Sequence, residues 1–327
     1  MMKLKTLFLA LLASVSVASA VSAEELKFAH FVAPQHTITP SVVEPLTNGV
    51  SQATGGKLTI RTYPGGELGK GPVEQYVRAL QGVADITWGL QGYTSSQFPK
   101  TMVIELPGAV PDGVSGYTML WNAYDKHLKS EFPGTIPLAL WVSEPNIFIM
   151  KDHQIRTPAD VKGLKIRVAG AVAADVIKLL GATPVQMPIP QVYNALQTGL
   201  IDGVLTGSSA VADFRLDEVA NSYTIGAPMG RLSFYVVMNK AKYDSLPADQ
   251  RKAIDDASGR GLSKSAEDAW HAKGAQAMAD AKAAGDNTMI ELTPAEIKAF
   301  GDITLGIRDK VINDLGAADV YAAMKGM

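Results

Sequence analysis

Apolar positions in this chain switch repeatedly between a period of two and a period near 3.6. "LKFAHFV" (Leu26–Val32) alternates as a strand, and Thr39–Thr54 carries a helical pattern. "KLTIRTY" (Lys57–Tyr63) is a second strand, and the turn-rich "PGGELGKGP" follows it. Val73–Gln81 is helical, and "VADITWG" (Val83–Gly89) is a third strand. Strands alternating with helices predict an α/β protein.

The same order returns later. "GATPVQMP" (Gly181–Pro188) is strand-like, Gln191–Gln197 is helical and "LIDGVLTG" (Leu200–Gly207) is a strand. The helices "QYVRALQ" (Gln75–Gln81) and "QVYNALQ" (Gln191–Gln197) share four of seven residues, and each leads through Gly and Asp into an apolar strand. Two similar α/β lobes are expected. "RLSFYVVMN" (Arg231–Asn239) adds a strand, and "SLPADQ" (Ser245–Gln250) starts a helix with Pro247 in its first turn. The Ala-rich helical pattern from there to Gly285 is weakened near its start by Gly259 and Gly261. A helix of about 35 residues would span roughly 50 Å, more than one lobe needs, so it is expected to brace both. Thr293 and Glu296 form a capping box for the last helical segment.

Composition narrows the classes. The chain has 327 residues, no cysteine and a net charge of −2, without the basic stripe of a nucleic-acid binder. The absence of cysteine excludes thiol chemistry, disulfides and a lipid-anchoring cysteine. Lys3 and Lys5 precede an apolar run, Leu7–Val17, too short to span a bilayer, and "ASA" or "VSA" offers a peptidase site. Residues 1–23 read as a signal peptide cleaved after Ala23, leaving an exported protein that is not itself embedded in the membrane.

Candidate chemistry is sparse. The five histidines make no metal-binding pattern, and no nucleophile elbow appears. No metal or cofactor is expected. "GGELGKG" (Gly65–Gly71) has the wrong spacing for a phosphate loop and lacks the Ser or Thr that would hold magnesium. The stretch "GLKIRVAG" (Gly163–Gly170) carries more. Leu164, Ile166 and Val168 fall on one face, Lys165 and Arg167 on the other, and the helical "AVAADVIKLL" follows. Ligands of open α/β sheets bind beyond the carboxyl ends of strands, where a guanidinium can hold a carboxylate by two parallel hydrogen bonds. The same pattern is compatible with an arginine on a solvated face or paired to a structural aspartate. Trp88, Tyr93 and Trp141 lie near strand ends, where they are either core residues or walls of an apolar pocket.

Four stretches, "GGKLTIRTYPGGELG", "TPADVKGLKIRV", "LGATPVQMPIPQVYNALQTGLIDGV" and the long helix after "YDSLPADQRKAI", resemble the DctP-type extracytoplasmic solute receptors of TRAP transporters. The resemblance spans Glu24 to about Leu315. It implies a hinged, two-lobed, type II-like periplasmic binding protein, with lobes of residues 24–145 plus 233–272 and 146–232 plus 273–327. It implies delivery of an organic acid to a membrane permease of a small and a large subunit, and makes Arg167 the carboxylate clamp.

Departures from the family bear on the ligand. The second arginine of sialic-acid receptors aligns with Ile147, a common asparagine with Thr206, and a common aromatic with Ile189. A pocket with fewer polar partners favours a monocarboxylate with an apolar or aromatic body. His30, Trp88, Tyr93, Thr206 and Ser208 are further candidate contacts. A dicarboxylate, hydroxy acid or sugar acid would need a second cation, for which Arg61 and Arg231 are the candidates. A secreted enzyme and a sensory binding subunit are the alternatives of other classes.

Overall fold

The computed structural model describes residues 24–327; the signal-peptide reading of residues 1–23 lies outside them. Among the described residues eleven strands form two sheets. The first has the order β2-β1-β3-β10-β4, from β1 (Glu24–Ala29), β2 (Leu58–Tyr63), β3 (Ile86–Leu90), β4 (Thr135–Val142) and β10 (Ser233–Asn239). The second has the order β11-β9-β5-β8-β6-β7, from β5 (Asn146–Met150), β6 (Lys165–Val168), β7 (Thr183–Gln186), β8 (Gly203–Gly207), β9 (Ser222–Ile225) and β11 (Thr288–Glu291).

The internal repeat is visible in this topology. In each sheet three parallel strands stand in the order second, first, third: β2-β1-β3 and β7-β6-β8. In each, the third strand then pairs antiparallel with a strand arriving from the other lobe, β10 beside β3 and β5 beside β8. The helices with related sequences, Gln75–Leu80 and Val192–Gln197, precede β3 and β8 respectively.

Among the described residues the chain crosses between the sheets three times, at Ser143–Pro145, at Gly226–Leu232 and through the helical stretch 240–287 between β10 and β11. The first two crossings are tied together: Ser143 N–H donates to the Leu232 carbonyl (2.8 Å), and Asn146 N–H to that of Gly230 (2.9 Å). Glu105 binds beside them. Its buried carboxylate accepts from the backbone N–H (2.9 Å) and hydroxyl (2.6 Å) of Ser233.

Burial raises the Glu105 pKa to about 7, against the opposing pull of these bonds. The folded protein therefore keeps a proton that the unfolded chain releases at lower pH. This contribution to stability is full below the ordinary carboxylate range and is lost as pH rises through about 7. Glu105→Gln, neutral throughout, is expected to lift the melting temperature relative to wild type at pH 8 but not at pH 4.5. A constant difference across that range would show that Glu105 does not titrate there.

The long helical pattern is divided. Ala248–Asp256 and Gly259–Ala284 are separate helices, because Ser258 is extended and Gly259 takes φ +70°, a conformation suited to glycine. At 26 residues the longer one measures about 39 Å. It packs on β4 and on the helix Gly116–Ala123 of the first unit, and on the short helix Ser209–Asp213 of the second. Its Glu267 accepts from the N–H groups of Gly116, Tyr117 (both 2.8 Å) and Val142 (3.2 Å). Pro247 is the N-cap of the preceding helix rather than part of its first turn. Thr293 and Glu296 do form the capping box of Pro294–Thr304. Residues 273–327 are shared between the units: β11 joins the second sheet, whereas Ala318–Met324 packs on Gly116–Ala123 of the first.

Candidate functional site

A cavity of about 40 Å³ lies between the two units. Strand ends from both sheets supply its walls.

Arg167 comes from β6, beside β8, and its side chain is 1 % exposed. Nε donates to the Met187 carbonyl (2.9 Å) and Nη2 to the Tyr93 hydroxyl (3.3 Å). Among the described residues no carboxylate lies within 4.0 Å of the guanidinium, and the masked segment contains no Asp or Glu. Burial lowers its pKa from the ordinary value, and Tyr93 partly offsets this. A cation taken out of water without a counter-charge costs several kcal/mol, so the fold holds it there against a penalty.

Tyr93, in the turn after β3, reaches it from the other unit. Its oxygen also accepts from the Ile189 backbone N–H (3.0 Å), so both lone pairs are used and its proton is free to donate. The backbones meet nearby. A Cβ built on Gly170 would stand 2.6 Å from the Gly92 carbonyl oxygen, so only glycine permits this approach.

Trp88, Phe214, Phe234 and Trp270 supply an aromatic part of the remaining wall, against which Phe31 and Trp141 pack from outside the lining. Trp88 is stacked between Phe31 (4.8 Å between ring centres, 8° between planes) and Phe234 (6.0 Å, 22°). Phe234 stacks in turn on Trp141 (5.2 Å), and Trp270 of the long helix tilts against Trp88, Trp141 and Phe234. The buried indole N–H of Trp88 has no partner among the described residues.

Of the residues expected in the site, Arg167, Trp88, Tyr93, Ile189 and Thr206 line this cavity. Ile147 and Ser208 do not. Both face a separate groove behind the crossings, because Ile147 follows the crossing at Pro145 and Ser208 sits under the long helix at Gly274. His30 is buried at the end of β1, edge-on to Phe28, and lies outside the cavity lining. Arg61 is exposed over the Tyr63 ring (5.1 Å), and Arg231 faces the rear groove and donates to the Ser143 carbonyl (3.0 Å). Neither lines the cavity.

Sequence reading missed His36, Asp213, Phe214, Phe234 and Trp270, all of which do line it. His36 follows the end of β1, and Asp213 and Phe214 follow β8, so the rule that ligands gather beyond carboxyl ends of strands points to them. Trp270 has no such signal; its spacing is that of an ordinary packed helix residue. Among the described residues no cluster of three or more His, Asp or Glu is arranged for a metal, and no helix is long and apolar enough to cross a membrane.

The profile of bacterial extracellular solute-binding proteins of family 7, DctP, matches residues 28–313. The chain belongs to this family. Family 7 proteins of this kind are the binding components of TRAP transporters and work with a membrane permease. The C4-dicarboxylate-binding periplasmic protein DctP of Rhodobacter capsulatus is 28 % identical over 91 % of this chain and 89 % of its own. A TRAP solute-binding protein from Rhodoferax ferrireducens, crystallised with copurified benzoate, is 31 % identical. It superposes with a TM-score of 0.85 over 92 % of this chain and 96 % of its own. A marine-metagenome TRAP protein specific for aromatic acid ligands, crystallised with 3-hydroxybenzoate, is 30 % identical, with a TM-score of 0.85 over 93 % and 98 %.

Proposed function

We propose that this family 7 receptor binds a monocarboxylate with an apolar, aromatic body, and that Arg167 clamps its carboxylate. The observation that carries the reading is the buried guanidinium with no carboxylate partner, set in an aromatic cavity. A ligand carboxylate would supply the missing counter-charge, and Tyr93 would add its free proton. Each Å² of ring surface removed from water would contribute about 25 cal/mol.

Selection against a second carboxylate follows from the lining. Arg167 is the one Arg or Lys among the cavity residues, and Asp213 adds a carboxylate of its own. His36 is neutral there, its pKa lowered to about 3 by burial and by Lys273. A dicarboxylate would bury an unpaired anion. The benzoate and 3-hydroxybenzoate held by the two structural relatives agree with this reading; the dicarboxylate named for the Rhodobacter relative favours the alternative.

The contacts across the cleft correspond to a closed form. The two units, hinged at Ser143–Pro145 and Gly226–Leu232, would open to admit ligand and close on it, and the small and large permease subunits would read the closed form. Cleavage after Ala23 would place the receptor in the periplasm.

A thermal-shift panel tests the ligand class. Protein freed of ligand by unfolding and refolding should be stabilised by benzoate-like acids, by about 2.7 kcal/mol at a hundred times the dissociation constant. Succinate, malate and galacturonate should leave it unchanged. Stabilisation by the dicarboxylates alone would overturn the assignment.

A further inference from the structure

The cavity has a second polar patch that the Arg167 clamp leaves unused. Asp213 ends the helix after β8, with its side chain 3 % exposed. Its Oδ2 accepts from the Thr37 hydroxyl (2.8 Å) and its Oδ1 from the Thr37 backbone N–H (3.3 Å), so it bridges the two units. His36 Nε2 lies 3.5 Å from Oδ2. Because His36 Nδ1 accepts from the Ile38 backbone N–H (3.1 Å), the imidazole proton is on Nε2, facing Asp213.

This patch is distinct from the clamp. The cation bearing on Asp213 is Lys273 of the long helix, not Arg167. His36 packs on Trp88 (5.3 Å), Phe214 (5.4 Å) and Trp270 (5.6 Å), and Trp88 reaches the Arg167 end through Phe31 and Tyr93. The aromatic wall therefore runs between two polar groups of opposite character.

We propose that Asp213 reads a hydroxyl on the ring of the ligand, which makes the ligand a hydroxy-substituted aromatic acid with its carboxylate on Arg167. The inference rests on the clamp reading above. A carboxylate has about four acceptor sites, of which Thr37 and His36 occupy at most three, so one remains for a donor. The donor is a neutral hydroxyl rather than an ammonium, because Lys273 already acts on Asp213 and would repel a second cation brought beside it. An unsubstituted ring would leave that buried acceptor site facing hydrocarbon.

The test is calorimetric titration of ligand-free protein with benzoate, phenylacetate, their 3- and 4-hydroxy derivatives and the matching methyl ethers. At least one hydroxy acid should bind about tenfold or more tightly than its parent, the scale of one hydrogen bond to a charged acceptor, and its ether should not. In Asp213→Ala that ratio should fall within threefold; in Thr37→Val, which removes the hydroxyl bond to Asp213 but keeps the backbone N–H bond and the carboxylate, it should persist. Should the alanine variant not fold, Asp213→Leu, which fills the space without an acceptor, reads the same ratio. A purely structural Asp213 would weaken parent and hydroxy acid alike and leave the ratio unchanged. That result, or no hydroxyl preference in wild type, overturns the inference and leaves the clamp reading standing. Failure of every aromatic acid to bind overturns both.

Discussion

Replacing Arg167 with alanine is expected to weaken binding of the aromatic acid by about 2–5 kcal/mol, because the ligand carboxylate would then be buried unpaired. In dissociation constant that is roughly thirtyfold to several thousandfold. Ligand-free protein should behave differently. The variant loses a buried cation that has no counter-charge among the described residues, so its unliganded melting temperature should not fall in proportion to the affinity. Calorimetry and a ligand-free melt, run on the same preparation, separate the two effects. Affinity within threefold of wild type would mean that the guanidinium has a structural role.

Gly170→Ala is expected to act on closure alone. The φ of Gly170 is −146°, open to any residue, so alanine should not strain its own unit. Its Cβ, however, would meet backbone of Gly92 across the cleft at 2.6–2.9 Å, and backbone cannot rotate aside. The units would have to part by several tenths of an ångström. That stretches the Arg167–Tyr93 and Ile189–Tyr93 bonds, already 3.3 and 3.0 Å long. A loss of affinity of about tenfold, the scale of one charge-assisted bond, should accompany an unchanged melting temperature without ligand. Small-angle scattering of the ligand-saturated variant should show a larger radius than wild type. Wild-type affinity would show that the closed contact at Gly92 is dispensable for binding.

How much of this was legible in the sequence follows from what sets each feature. Strand and helix periods depend on local alternation, so β1, β2, β3, β8 and β10 stand within a few residues of their expected places. The repeat was legible because Gln75–Leu80 and Val192–Gln197 are built alike, and the sheets confirm it with a shared strand order. The break at Ser258–Gly259 was only hinted at, since glycines weaken a helix without saying where it stops. Arg167 stood out because a strand end is a local signal. His36, Asp213 and Trp270 did not, because they converge from three separated elements and only the tertiary fold brings them together. Ile147 and Ser208 went to the rear groove for the same reason: an alignment gives a place on a strand, not the side of the hinge that a neighbouring helix covers.

The most direct test of the carboxylate clamp compares the tightest-binding aromatic acid with its primary amide, which keeps the ring and the shape and removes the charge. If the buried guanidinium of Arg167 is completed by the ligand, the acid should bind at least about a hundredfold more tightly in wild type, the scale of a desolvated charge pair, and the difference should collapse in Arg167→Ala. Equal binding of acid and amide to the wild-type protein would contradict the clamp.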